Sequence, residues 1–123
     1  MNTVTDAVSE AREKAQSLHK KIQATTTKDH AAIRANAKIV AIEAGDLARS
    51  ISGLVESQHA DAKQHLKDAV TALKAAASDA QGIVNASDAD IKAKNVATLE
   101  RVRSAAQQIS SAVAAKRAHL VRN

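Results

Sequence analysis

Apolar residues recur along this chain at alternating intervals of four and three residues, the spacing of one face of an α-helix. Four stretches keep this register, and a polar segment separates each from the next. The four stripes are Val4, Val8, Ala11, Ala15, Leu18 and Ile22; Ile33, Ala37, Val40, Ala44, Leu47, Ile51 and Leu54; Ala62, Leu66, Ala69, Leu73, Ala76, Ala80 and Ile83; and Asn95, Leu99, Val102, Ala106, Ile109, Val113, Lys116 and Leu120. No segment shows the alternation of a half-buried strand, so the pattern predicts an all-α protein.

Two of the three junctions between stripes carry residues that end and start helices. Residues 25–27 are consecutive threonines, which are poor helix formers, and Thr26 with Asp29 has the spacing of a capping box. Ser87 suits an N-cap, and Asp88 and Asp90 suit the positive end of the helix dipole. These signals predict helix boundaries near residues 24–28 and 83–88.

The middle junction, around residues 57–60, is weaker, because nothing in it forbids a helix. Two architectures therefore compete. The favoured one is an antiparallel bundle of four Ala-rich helices, at about 3–24, 28–56, 59–83 and 88–121, in one domain spanning residues 1–123. The alternative fuses helices 2 and 3 into one rod from about residue 28 to 84, flanked by two shorter helices. We favour four helices, because compact proteins seldom contain so long a rod.

The composition gives such a bundle an unusual core. The chain has 123 residues, no Phe, Tyr, Trp or Pro and three Gly, and alanine makes up about a quarter of it. Alanine is the best helix former. Its methyl group, however, buries much less surface than a Leu or Phe side chain, whose burial stabilises a fold by about 1.5–3 kcal/mol. We therefore expect the protein to bury more surface by self-association or by docking on a partner.

Helix 2 carries a second apolar strip. Ala35, Ile39 and Ile42 lie on nearly the opposite side of the helix from its main stripe. A helix that is apolar on two sides either contacts two neighbouring helices of the same bundle or contributes to a protein interface. We favour the first interpretation and keep these three residues as a candidate interface.

The residue types that carry catalysis or bind metals are dispersed. The absence of Cys excludes disulfides, thiolate catalysis and Cys-ligated metal sites. Asp61, His65 and Asp68 share one helix face, but acidic residues near a histidine are also common on a solvated helix. The three glycines are isolated and form no phosphate-binding loop. We predict a protein that is not an enzyme and has no cofactor, metal or catalytic residues.

The sequence also bears on location. It lacks the basic stretch and apolar segment of a secretory signal at its N-terminus, and no apolar run approaches the ~20 residues that span a bilayer. These features predict a cytoplasmic protein without a transmembrane segment.

The positive charge is concentrated near the C-terminus. The chain has a formal net charge of +5, and residues 101–123 contain no acidic residue. The basic residues there form a candidate anion-binding group: Arg101, Arg103, Lys116, Arg117 and Arg122. The helix dipole favours cations in the last turns of a helix, but this does not account for Arg101 and Arg103. Without aromatic stacking platforms we expect no specific nucleic-acid recognition, and at most weak contact with an anionic surface.

Alanine-rich stretches interleaved with Ser and Gln, such as residues 103–112 (RSAAQQISSA), resemble bacterial helical signalling proteins and phasins, which coat polyester storage granules. The resemblance implies an amphipathic coat on a lipid or granule surface as one function. The function we favour is that of a noncatalytic structural or interaction protein. In that role the bundle forms a homo-oligomer or docks helix-to-helix on another helical protein.

Overall fold

A computed structural model describes the backbone of residues 3–122 and the side chains of residues 7–118. It contains four α-helices, α1 (Thr3–Ala24), α2 (His30–Val55), α3 (Ala60–Val84) and α4 (Asp88–Arg122), and no strand within residues 3–122. The prediction of an all-α protein with four helices is therefore confirmed. The alternative rod is wrong, because the helix breaks between α2 and α3.

The helices form an antiparallel bundle in which α1 and α3 each pack against both α2 and α4, and α2 meets α4 across the diagonal. The direction of α3 relative to α4 follows from their contacts. Asp79, late in α3, pairs with Arg101, whereas His65, early in α3, meets Gln108 farther along α4. Short turns join consecutive helices, as an up-down-up-down bundle requires.

The turn between α1 and α2 follows from its polar residues. The hydroxyls of Thr25 and Thr26 donate to the carbonyls of Ile22 (2.7 Å) and Gln23 (2.9 Å), at the end of α1. Asp29 is the N-cap of α2, and its Oδ1 accepts from the amide of Ala32 at 2.8 Å. The helix therefore begins two residues later than expected, because Asp29 caps it directly.

The turn between α2 and α3 is formed by polar side chains that bond to the end of α2. Ser57 Oγ and Gln58 Nε2 donate to the carbonyl of Leu54, at 2.8 and 3.3 Å. His59 then has extended backbone angles, and α3 starts at the next residue. The Leu54 carbonyl, which the amide of Gln58 would bond in a continuing helix, thus accepts from these side chains and from the amide of Ser57, at 3.2 Å.

An arginine of α2 ties the last turn to the rest of the bundle. Arg34 Nη2 donates to the carbonyl of Ala86 at 2.9 Å and to Asp88 Oδ1 at 2.7 Å. Asp88 lies at the start of α4, and His30 Nδ1 is 3.4 Å from the same oxygen. The hydrogen bond from Arg34 is the main cause that lowers the pKa of Asp88.

The predicted stripes of α1, α2 and α3 form the core, except that Leu54 is only partly buried and Val4 lies outside the described side chains. In α4 the prediction is half right. Asn95, Val102, Ile109, Val113 and Lys116 are buried, but Leu99 and Ala106 are only partly buried, and Leu120 lies outside the described side chains. Up to residue 118, the remaining buried positions of α4 are Ile91, Thr98, Ala105 and Ala112.

The core-facing line of α4 is therefore shifted by one residue at two positions, where Thr98 and Ala105 are buried in place of Leu99 and Ala106. Thr98 can be buried because its hydroxyl donates to the carbonyl of Lys94 at 2.9 Å. Ala105 and Ala112 are fully buried and let the neighbouring helices approach closely. Leu99 was expected in the core because it is the more apolar residue. Packing of α4 against three helices instead buries the smaller side chains of Thr98 and Ala105.

Candidate interaction surface

The second apolar strip of α2 lies on the outside of the bundle. Ile39 and Ile42 are 51% and 65% exposed, and Ala35 is exposed too. The interpretation that two neighbouring helices cover this strip is therefore wrong. The reason is geometric, because α1, α3 and α4 all lie on the side of α2 that carries its main stripe. Its role as a protein interface stays a prediction.

Charged residues and glycines accompany this strip. We define the outer α2 face as the residues that point away from the core along the helix: Ala31, Ala35, Lys38, Ile39, Ile42, Gly45, Asp46, Arg49 and Gly53. Asp46 and Arg49 form an ion pair through Asp46 Oδ1 and are largely exposed. Lys38 is exposed and has no ion pair among the described residues. The face is thus an apolar centre bordered by charges of both signs.

The two glycines of this face are not required by the packing of the chain itself. A Cβ atom at Gly45 would meet only Arg49 Nη1, at 3.9 Å, and one at Gly53 would have nothing within 4 Å. Neither residue has a positive φ. Glycine inside a helix is less favourable than alanine by about 1 kcal/mol. In a chain so rich in alanine, these glycines have no explanation within the bundle.

The five basic residues of the candidate anion-binding group do not form one surface. Arg101 faces α3 and pairs with Asp79 at 2.5 Å, whereas Arg103 lies toward α1 and is 3.8 Å from Glu100. Arg117 is exposed, and the side chain of Arg122 lies outside the described residues.

Lys116 requires a correction, because it is a core residue with 8% exposure. Its Nζ is buried and has no hydrogen-bond partner among the described residues, and burial lowers the pKa of this amine. Buried in this way, the amine is unable to bind an anion at the surface.

The structure instead brings Arg103 together with basic residues that the sequence did not connect to it. A groove of about 590 Å³ between α1 and α4 is lined by Arg103, His19 and Lys20. Its other lining residues are Gln16, Gln23, Ala106, Gln107, Ser110 and Ser111, so none of the groove's described residues is acidic. His19 and Lys20 are some eighty positions away in sequence, and only the packing of α1 on α4 places them beside Arg103.

The metal hypothesis gains no support from the geometry. Within the described residues there is no group of three or more His, Cys, Asp or Glu able to hold a metal ion. Asp61, His65 and Asp68 line an open groove of about 560 Å³ between α3 and α4, but His65 Nδ1 lies 2.8 Å from Gln108 Oε1. Asp68 accepts a hydrogen bond from Gln64 at 3.0 Å. His65 and Asp68 thus have separate partners and do not contact each other.

Two further findings bear on function. In the part of the chain that the structure describes, no helix combines the length and apolar character needed to cross a membrane. Comparison of the chain with known protein families, curated proteins and solved structures gives no significant match.

Proposed function

We propose that this chain is a noncatalytic structural or interaction protein that self-associates or docks helix-to-helix on a partner through the outer α2 face. The observation that supports this most directly is the exposure of Ile39 and Ile42, 51% and 65%, at the centre of that face. Full burial of an Ile side chain contributes about 1.5–3 kcal/mol, so covering the exposed half of each would add roughly 1 kcal/mol. A cytoplasmic location, expected from the sequence, belongs to the same proposal.

The arrangement of the polar residues supports a noncatalytic role. The candidate acid–base groups are not paired with one another, since His65 contacts the amide of Gln108, Asp68 contacts that of Gln64, and the amine of Lys116 is inside the core. Glu56 and His59 have the Glu-x-x-His spacing of some metal sites, but they lie in the turn between α2 and α3. Glu56 also lies 3.4 Å from Lys63.

The proposal is tested by measuring mass against protein concentration by sedimentation equilibrium. The wild type is compared with an Ile39→Ser/Ile42→Ser variant. Because both side chains are exposed, the variant should keep the helicity of the wild type, as circular dichroism can verify. Val96→Ser is the matched control, since Val96 is 51% exposed but belongs to α4.

We expect association of the wild type and of the control, and loss of association in the double variant. A pull-down from native lysate with the same three proteins covers docking on another protein. If the double variant matches the wild type in both measurements, the proposal is wrong.

A second candidate function, weak binding of anionic surfaces, draws support from the α1–α4 groove with Arg103, His19 and Lys20. The test is retention on heparin of a Lys20→Gln/Arg103→Gln variant, which should elute at lower salt than the wild type. The matched control is Lys74→Gln/Lys92→Gln, which removes two positive charges from exposed positions on α3 and α4. If the groove variant and this control elute at the same salt concentration, this function is wrong.

The granule-coat alternative would require the bundle to open, because the apolar stripes are buried in it. Lipid vesicles or polyester granules should then change the helicity or the melting temperature of the chain. Unchanged values for both would discard this alternative.

A further inference from the structure

We infer that the partner of the outer α2 face is a second copy of this chain, packed antiparallel against it with a two-fold axis through Ile42. This inference rests on the proposed function and specifies its partner. A two-fold axis at residue 42 places each residue at 42 − n opposite the residue at 42 + n of the other copy. Under this operation a cation of the outer α2 face meets an anion of the other copy, and small residues meet across the interface.

The charges match in this register. Lys38 lies opposite Asp46 of the other copy, and the symmetry creates the pair twice. Both side chains are exposed, and Asp46 uses only Oδ1 in its ion pair with Arg49, so its second oxygen is open to Lys38. Arg49, the third charge of the face, falls opposite Ala35 and keeps its ion pair with Asp46 of its own chain, so the two Lys38–Asp46 pairs are the attractive charge contacts of the dimer.

The side-chain sizes match as well. Ile39, with 51% of its surface exposed, lies at the level of Gly45 of the other copy, where a Cβ would meet only Arg49 Nη1, at 3.9 Å. Ala31 lies opposite Gly53. Glycines that the bundle does not need would thus receive the larger or closely approaching residues of the second copy.

An alternative register fits less well. A two-fold axis midway between Ile39 and Ile42 would place Lys38 opposite Glu43 rather than Asp46. Glu43 is already held by Lys21, whose Nζ donates to its two carboxylate oxygens at 2.7 and 2.9 Å. The register centred on Ile42 uses the carboxylate that is more accessible.

One helix face against another is a small interface, below the ~1,200 Å² of a standard complex. We therefore expect a weak dimer whose population depends on concentration.

Charge reversal tests the register. Lys38→Glu and Asp46→Lys each turn two attractive pairs into repulsive ones, so each should raise the dimer dissociation constant about tenfold, measured by sedimentation equilibrium. The Lys38→Glu/Asp46→Lys variant restores opposite charges and should return to within about threefold of the wild type. Lys38→Glu/Glu43→Lys, which would restore the alternative register, should not.

Because the chain has no cysteine, a single introduced thiol reports on the axis independently. Ile42→Cys places two thiols beside each other on the axis, within disulfide reach. Ala35→Cys, on the same face, places them about 21 Å apart along the helices, at 1.5 Å per residue. We expect rapid oxidation to a covalent dimer for Ile42→Cys and at least tenfold slower oxidation for Ala35→Cys.

The outcomes separate this inference from the proposed function. Equal oxidation rates, or no rescue by the double charge reversal, overturn the register. A wild type that stays monomeric overturns the inference of a second copy. In that case the proposed function stands only if the Ile39→Ser/Ile42→Ser variant loses a heterologous partner that the wild type captures.

Discussion

Replacing Lys116 by Met is expected to stabilise the protein. Lys116 is 8% exposed, and its Nζ is buried without a hydrogen-bond partner among the described residues. A buried polar group left without a partner costs about 1–3 kcal/mol. Met has a similar length and flexibility without the charge, so it fills the same space and removes this cost. Lys116→Met should raise the free energy of unfolding by about 1–2 kcal/mol, a rise in Tm of roughly 3–8 °C for a chain of this size.

The pH dependence gives the same substitution a second readout. Burial lowers the pKa of Lys116, so the folded state binds this proton less tightly than the unfolded chain does. The resulting destabilisation is complete below the folded-state pKa. It disappears as the pH rises from there to the ordinary lysine value of about 10.4. Wild-type stability should therefore gain a rising component in that alkaline window, and the Met variant should lack it.

The assay is urea denaturation followed by circular dichroism at pH 7 and at several values up to about 10.5. Lys74→Met is the control, because Lys74 is exposed on α3 and its replacement should leave stability and its pH dependence nearly unchanged. A Lys116→Met protein less stable than the wild type at pH 7, or one with the same alkaline slope, would refute the reasoning. Either result would mean that the folded protein solvates or pairs the amine.

Four further substitutions test other parts of the fold. Asp29→Ala removes the side-chain acceptor at the start of α2 and should lower the free energy of unfolding by about 0.5–2 kcal/mol in urea denaturation; an unchanged midpoint contradicts the capping role. Arg34→Gln should raise the pKa of Asp88 toward its ordinary value, measured by NMR titration of the carboxyl carbon; an unmoved pKa would show that Arg34 is not its cause. Gly53→Ala and Gly82→Ala should stabilise α2 and α3, respectively, by up to about 1 kcal/mol, because neither Cβ would meet an atom within 4 Å. Only Gly53→Ala should also weaken the dimer. Equal effects of both glycine variants on dimerisation would argue against a contact at Gly53.

Local patterns in the sequence were sufficient for the helices and most of the core. The stripe from Val8 to Ile22, like those of α2 and α3, is buried almost as predicted, because helical periodicity states which side of a helix is apolar. The polar residues of the first turn correctly predicted a boundary there, but the expected capping box of Thr26 and Asp29 is wrong, because Asp29 itself is the N-cap of α2. The break between α2 and α3 was less visible, because Ser57 and Gln58 end α2 through bonds to Leu54 that depend on side-chain geometry.

Tertiary structure decided which faces are covered. Thr98 is buried where Leu99 was expected, and Lys116, which the sequence placed both in the α4 stripe and in the basic group, is a core residue. The second strip of α2, by contrast, was left outside, with Ile39 and Ile42 exposed. Periodicity identifies an apolar side of a single helix, but burial depends on how many neighbours surround that helix and from which directions. The sequence therefore determined the helices and their apolar sides, and only the packing of four helices determined which sides meet.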